Sequence, residues 1–279
     1  MDPRVQRRVQ RYGWDLAAQD YEPLWQAQLA DAQRALLEAA ALTPGERVLD
    51  VACGTALVTL EAARAVGQQG HVLGVDLSDR MVAAARARAQ AGALRHADFA
   101  RGDAEALALP DGGFDVALCA LGLMYMPDPL QALREMRRVL RPGGRMVAAV
   151  WGERARCGWS SVFPIVEAEV ASDVCPLFFG LGQADALARL CAEAGFEGVA
   201  SNRIAVTLHY ADVDQACDAA FVGGPVALAW SRFDGTVRQR VRARYAESIA
   251  GWRTGNGFGL PGEFVVAHGV VPAAPPERA

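Results

Sequence analysis

The run Val48-Leu49-Asp50-Val51-Ala52-Cys53-Gly54-Thr55-Ala56 constrains this chain more than any other stretch. Val48 and Leu49 read as the end of a buried strand and the small residues from Cys53 to Ala56 as a tight turn. Leu57 to Val66 then carries apolar residues at helical spacing. A strand that turns straight into a helix presents backbone N–H groups at the helix N-terminus, where the dipole favours an anionic group. A second apolar run, His71 to Val75, ends in Asp76, whose carboxylate can accept hydrogen bonds from both hydroxyls of a ribose. Strand, turn, helix, strand and acid together predict an α/β sheet with a nucleotide-type ligand over its carboxyl edge.

Two cofactor plans use such a loop. The dinucleotide fingerprint wants glycine at the first, third and sixth loop positions, where this chain has Ala52, Gly54 and Leu57. The alternative spacing, acid-x-small-x-Gly-x-small, is met by Asp50, Ala52, Gly54 and Ala56. An acid ending the first strand also suits an ammonium group better than a pyrophosphate. The ligand this implies is S-adenosylmethionine. Three further blocks follow in order. Gly102-Asp103-Ala104-Glu105 is succeeded by Leu109-Pro110 and Phe114-Asp115. The strand Phe114 to Cys119 opens into Ala120-Leu121-Gly122-Leu123-Met124-Tyr125-Met126. Asp128-Pro129 starts a helix with one apolar face, which Arg141-Pro142-Gly143-Gly144 ends before a fifth strand, Arg145 to Trp151.

From Arg47 to Trp151 the chain resembles the class I S-adenosylmethionine-dependent methyltransferases, in the small-molecule branch that includes the quinone-biosynthesis C-methyltransferases. The resemblance implies that Tyr21, Asp50, Ala52, Cys53, Gly54, Asp76, Leu77, Met81, Gly102, Asp103, Ala104, Glu105 and Ala120 bind the cofactor, with the acidic loop after the third strand holding the adenine amino group. S-adenosylhomocysteine would be the coproduct. In the family the positions of Ala52 and Ala56 are usually glycine, so the loop here is tighter.

The expected architecture is a doubly wound, seven-stranded, mostly parallel sheet whose seventh strand is, by family analogy, antiparallel. Residues 1–44 read as an N-terminal helical lid and 45–152 as the cofactor-binding core. Residues 153–271 continue the same α/β domain, with helical cap insertions at about 155–195 and 212–255. Residues 272–279 read as a disordered tail. The later strands are expected at Val199 to Tyr210 and Glu263 to Val270, and the second insertion should break at Gly223-Gly224-Pro225.

Ligands bind at the carboxyl ends of parallel strands, and that rule sorts the four histidines. His71 starts strand two, His96 is expected within strand three and His268 falls late in the antiparallel strand, all away from the cleft. His209 ends strand six on the correct side and is the candidate general base, set against a histidine that merely hydrogen-bonds at a strand end. Trp25, Met124, Tyr125, Met126, Trp151 and Trp159 are candidate acceptor contacts, each equally open to a role in core packing. They suit a small, cyclic or aromatic acceptor, methylated at carbon, oxygen or nitrogen.

Composition excludes other classes. The net charge of −4 predicts no general attraction to nucleic acid or an anionic membrane. Cys119-Ala120-Leu121-Gly122 stands where methylases of nucleobase amines usually carry an Asn/Asp-Pro-Pro-aromatic motif. Arg238, Arg240, Arg242 and Arg244 recur at every second residue, which wraps around a helix and forms no stripe. All 28 basic residues are arginine, which reads as a GC-rich coding bias and rules out a catalytic lysine. Six scattered cysteines with no Cys-x-x-Cys pair predict no metal site, and the absence of a long apolar run predicts a cytoplasmic protein. A homodimer is compatible with the sequence. Two further readings stay open at this point: a non-catalytic S-adenosylmethionine-binding module, and a nicotinamide-dependent oxidoreductase, which the loop glycines disfavour.

Overall fold

β1 (Arg47–Val51) is buried at four of its five residues because it lies inside a sheet, parallel to β2 (His71–Asp76) on one side and β4 (Phe114–Ala120) on the other. The computed structural model describes residues 2–170 and 178–273. β3 (Ala97–Arg101) extends the sheet past β2, and β5 (Leu140–Trp151) extends it past β4, again in parallel. β6 (Glu197–Tyr210) forms the far edge, and a two-residue β7 (Arg253–Thr254) pairs with β8 (Gly257–Val270). The order is β3-β2-β1-β4-β5-β8-β6. β8 is antiparallel to both β5 and β6, so β6 points the same way as β1 to β5. Six long strands therefore run one way and one runs against them, the arrangement that the family resemblance implies.

The period-two alternation of the strands divides the core between the two faces of the sheet. Val48, Val72, Val116, Leu118 and Val147 pack with α3 (Leu57–Val66), α4 (Asp79–Ala91) and the C-terminal half of α2 (Tyr21–Ala40). Leu49, Ala117, Cys119, Met146 and Ala148 pack on the other side with α5 (Pro129–Val139) and α7 (Ala186–Glu193). Asp128 caps α5 by accepting from the Gln131 amide at 2.9 Å, with Pro129 at the first helical position. Arg141 to Gly144 interrupt the β4–β5 register, which jumps from Phe114↔Leu140 to Val116↔Arg145, so the expected helix stop is a bulge at the head of β5.

The N-terminal segment divides in two. α1 (Pro3–Ala17) buries little of itself, whereas α2 buries Trp25, Leu29, Ala32, Leu36 and Ala40 along one face and is built into the core. The cap consists of α6 (Val162–Val170), α8 (Val213–Phe221), α9 (Ala227–Arg232) and α10 (Gly235–Ile249). α8 and α9 are separated at Gly223-Gly224-Pro225 as expected. Arg240 and Arg244 of α10 pair with Glu169, Arg242 pairs with Asp214 and Asp218, and Arg238 lies over the Trp230 ring. Those side chains are taken up by intramolecular partners and form no basic stripe. His96 sits just before β3, contrary to expectation, where its ring nitrogen meets the Ala63 carbonyl at 2.8 Å. Cys175 and the tail beyond residue 273 lie outside the described residues.

Because α2 is structural, truncating its most enclosed side chain should weaken the whole fold. Leu36 is fully buried; Leu36→Ala should lower the unfolding free energy by about 2–5 kcal/mol in urea titration.

Candidate functional site

The turn after β1 is held in an unusual backbone shape. Ala52, Gly54 and Ala56 all have positive φ, at 57°, 55° and 71°. This left-handed geometry is what glycine normally supplies, yet two of the three positions carry alanine. The turn is fixed at both ends, by the Cys53 amide donating to Val75 O at 3.1 Å and by the Ala56 amide donating to Cys53 O at 2.9 Å. It leaves the Gly54 amide pointing at β2, where it donates to Asp76 Oδ2 at 2.9 Å.

Asp76 is thereby oriented from two sides, since its other oxygen accepts from the Ser78 amide at 2.9 Å. Ser78 caps α4, and its hydroxyl donates to Asp15 of α1. Asp50 lies beneath the turn, 1% exposed, with Oδ2 accepting from Thr59 Oγ1 at 2.6 Å and Oδ1 without a hydrogen-bond partner among the described residues. Burial pushes the Asp50 carboxyl up to about 7, the Thr59 hydroxyl opposes that shift and the Asp76 carboxylate adds to it. Asp76 is raised too, first by burial and further by Asp15, against the Ser78 and Gly54 amides.

These groups border a cleft of about 1020 Å³, measured to its open mouth, across the carboxyl ends of β1, β2, β3 and β4. Tyr21, Ala52, Gly54, Asp76, Leu77, Met81, Gly102, Asp103, Ala104, Glu105 and Ala120 all line it, as do Trp25, Met124, Tyr125, Met126, Trp151 and Trp159. The expected cofactor and acceptor contacts thus meet in one cavity, with three corrections. Asp50 lies beneath the floor and not in the wall. Cys53 does likewise, its sulfur directed toward β2 beside Gly74 and its thiol pushed well up by burial. His209 is exposed and does not line the cleft, because Leu208 and Tyr210, its neighbours on β6, are the buried residues and strand alternation turns His209 to the opposite face. Its backbone oxygen is engaged by Gln28 Nε2 at 2.5 Å.

Sequence reading misses the contribution of α1. Arg7, Gln10 and Trp14 line the cleft from above. Arg7 pairs with Asp103 at 3.1 Å and with Glu105, and Trp14 packs edge-on against Tyr21 and Tyr125. The helical spacing 7, 10, 14 is visible in the sequence, but nothing local distinguishes it from an ordinary packed face. Leu29, Leu121, Gly122, Pro127, Gly224 and Pro225 complete much of the rest. Behind the acceptor end, Trp159 contacts Trp25, Trp151, Phe163, Phe178 and Phe179, so these phenylalanines brace the wall and do not face the cavity.

The charge of the cleft selects its ligand. Asp76, Asp103 and Glu105 line it and Asp50 lies just below, against a single lining arginine among the described residues, Arg7. Such a site favours a ligand with cationic groups and an open ribose, and disfavours a pyrophosphate. S-adenosylmethionine fits: Asp76 would hold its ribose, the 102–105 loop its adenine, and the floor carboxylates its positive charge. Among the described residues no cluster of His, Cys, Asp and Glu could hold a metal ion, and all five described cysteines are free and buried.

Residues 48–144 match a family model described as a methyltransferase domain. A demethylmenaquinone methyltransferase of Listeria welshimeri is 39% identical over 119 residues, 43% of this chain and 50% of that protein. One of Bacillus mycoides is 40% identical over 104 residues, 37% of this chain and 44% of that protein. The chain spans about half the length of the curated relatives it matches. Among solved structures, the cyclase SpnF is 23% identical with a TM-score of 0.61, covering 90% of this chain and 83% of that one. A phosphoethanolamine N-methyltransferase 2 from Haemonchus contortus, solved with S-adenosylhomocysteine, is 16% identical with a TM-score of 0.57, covering 87% and 52%. These structural likenesses carry the fold.

Two outcomes follow from the loop. Replacing Ala52 with glycine should relieve left-handed strain of about 1–2 kcal/mol, less the small packing loss of one half-buried methyl, and raise the melting temperature by a few degrees. A lower melting temperature would show that the methyl packing dominates. For Asp50 the folded-state pKa lies above the unfolded one. The protonated form therefore contributes stability at low pH that is lost as pH rises from about 4 toward about 7. Asp50→Asn should melt above the parent at pH 8, and the gap should narrow as pH falls and close by about pH 4.

Proposed function

We propose that this chain, whose residues 48–144 match a methyltransferase domain, transfers a methyl group from S-adenosylmethionine to a small, flat, apolar metabolite. The observation that carries the reading is the cleft itself, whose carboxylate-lined end opens directly onto a wall of Trp25, Met124, Tyr125, Met126, Trp151 and Trp159. When bound, the cofactor supplies an electrophilic methyl on a sulfonium, and what remains for the protein is alignment in a dry pocket. Asp76, oriented by the Gly54 and Ser78 amides, would hold the ribose. Tyr21, over Gly54 and held protonated by burial and the nearby Asp76, covers the turn. The aromatic wall excludes water and presents the acceptor's face.

With His209 outside the cleft, no histidine among the described residues lines it. An acceptor whose nucleophile needs no strong base, such as an electron-rich carbon of a reduced ring, suits such a pocket best. The curated relatives act on demethylmenaquinone by name, which makes a reduced quinone the first acceptor to try. Carbon is thus favoured over oxygen or nitrogen. Trp151 and Trp159 of the acceptor wall lie beyond the matched residues 48–144. A second reading has one support: SpnF shares the fold and is named a cyclase, so a methyltransferase-like fold can carry a chemistry other than methyl transfer.

Calorimetric titration with S-adenosylhomocysteine should show binding where NADH shows none. Asp76→Ala should weaken that binding by about 2–4 kcal/mol, the scale of losing charged hydrogen bonds in a partly buried site. NADH binding, or an affinity indifferent to Asp76, would overturn the cofactor assignment. Label transfer from methyl-labelled S-adenosylmethionine to a panel of reduced quinones then separates methyl transfer from cofactor binding alone.

A further inference from the structure

The outer face of α1 is the least expected surface of the molecule. Val5, Val9, Tyr12 and Leu16 are 37%, 37%, 49% and 44% exposed, and among the described residues only Trp252 and Val270 join them as exposed large apolar side chains. The four fall at i, i+4, i+7 and i+11, one line along a helix. Their opposite face, Arg7, Gln10 and Trp14, lines the cleft. α1 therefore packs inward on one side and is apolar toward solvent on the other, and burial in this fold does not account for the outer row. Protein surfaces tolerate single exposed apolar residues; an ordered row of four on one helix marks a contact surface.

The flank of the row names the partner. Arg4, Arg8 and Arg11 lie along one edge of it. No ion pair is formed by any of the three among the described residues, and Arg11 packs over the Tyr12 ring at 4.9 Å. Arginines beside an apolar row, with an aromatic ring at the boundary, are the side-chain chemistry of a helix lying in the headgroup plane of a bilayer. A second copy of the chain fits less well, because antiparallel two-fold pairing of the row with itself would set arginine edge against arginine edge. The overall charge of −4 predicts no attraction to a membrane, but it averages over the molecule, and the arginine edge is local.

We propose that α1 docks on an anionic lipid surface, with Val5, Val9, Tyr12 and Leu16 among the headgroups and Arg4, Arg8 and Arg11 against lipid phosphates. The inference stands independently of methyl transfer. If both hold, the cleft opens beneath a helix that rests on lipid, where an apolar acceptor is dissolved.

Co-sedimentation of the full chain with vesicles tests it, using an equimolar mixture of phosphatidylglycerol and phosphatidylcholine against pure phosphatidylcholine. The chain should pellet with the anionic vesicles, more weakly as salt rises, and little with the neutral ones. Val9→Glu with Leu16→Glu should reduce binding by roughly tenfold or more, and Arg4→Glu with Arg8→Glu should remove the preference for anionic lipid. Both pairs are exposed, so an unchanged thermal melt shows that the fold is intact. No binding to anionic vesicles, or binding indifferent to both pairs, overturns the proposal. A dimer lost in Val9→Glu, without lipid binding, overturns it in favour of self-association.

Discussion

The cleft depends on two carboxylates kept side by side at the carboxyl ends of adjacent strands. Asp50 and Asp76 are brought together by the parallel β1–β2 pairing, in which Asp50 stands opposite Gly74, two residues before Asp76. Burial opposes ionisation of both, with Asp76 adding to it at Asp50 and Asp15 adding to it at Asp76. What holds them there is the left-handed turn, whose Gly54 amide faces Asp76, together with the Ser78 amide and the Thr59 hydroxyl. Strain in the turn and electrostatic cost in the floor are thus parts of one device. It creates a negative potential that a cationic ligand relieves.

The core of this device is legible in the sequence alone, because each part is local. The strand-turn-helix periodicity and the small residues at Ala52, Gly54 and Ala56 follow from chain geometry. The bounds of α3 and β2 coincide with the apolar runs, β2 taking in the acid that follows its run. The antiparallel direction of β8 comes only through family resemblance, and its place between β5 and β6 is not read at all, since nothing in Gly257 to Val270 encodes which neighbours it chooses. Three misplacements share a physical origin, the direction in which a side chain leaves the backbone. Asp50 and Cys53 suit the wall by their position along the chain, but whether a side chain faces ligand or floor is decided by the turn's dihedral angles. His209 fails on parity: it lies at the end of the correct strand on the wrong face, and a one-residue difference inverts a side chain's side of the sheet.

α1 is the least legible element. Its sequence shows an amphipathic helix, but with two apolar aspects, one taken by the cleft through Trp14 and one left on the surface. Which is which depends on its docking against α4 and α9, through Asp15 at the start of α4 and Arg7 on the acidic loop. Those are contacts across 60 residues or more of chain, and no local pattern announces them.

The strand order also governs how the chain can be made. Among the described residues β6 pairs with nothing but β8, and the outer edge of β5 is likewise covered by β8 alone. Among the described residues β8 is the sheet strand made last. Until it arrives, a nascent chain carries the open edge of β5, the buried Met146 to Trp151 run, while residues 152–256 are made, and that of β6 while residues 211–256 are made. Such edges are templates for pairing with other chains. Slow emergence of Gly257 to Val270 is therefore the stage at which this protein is most exposed to aggregation, and rapid zipping of β8 into its slot is what ends the hazard.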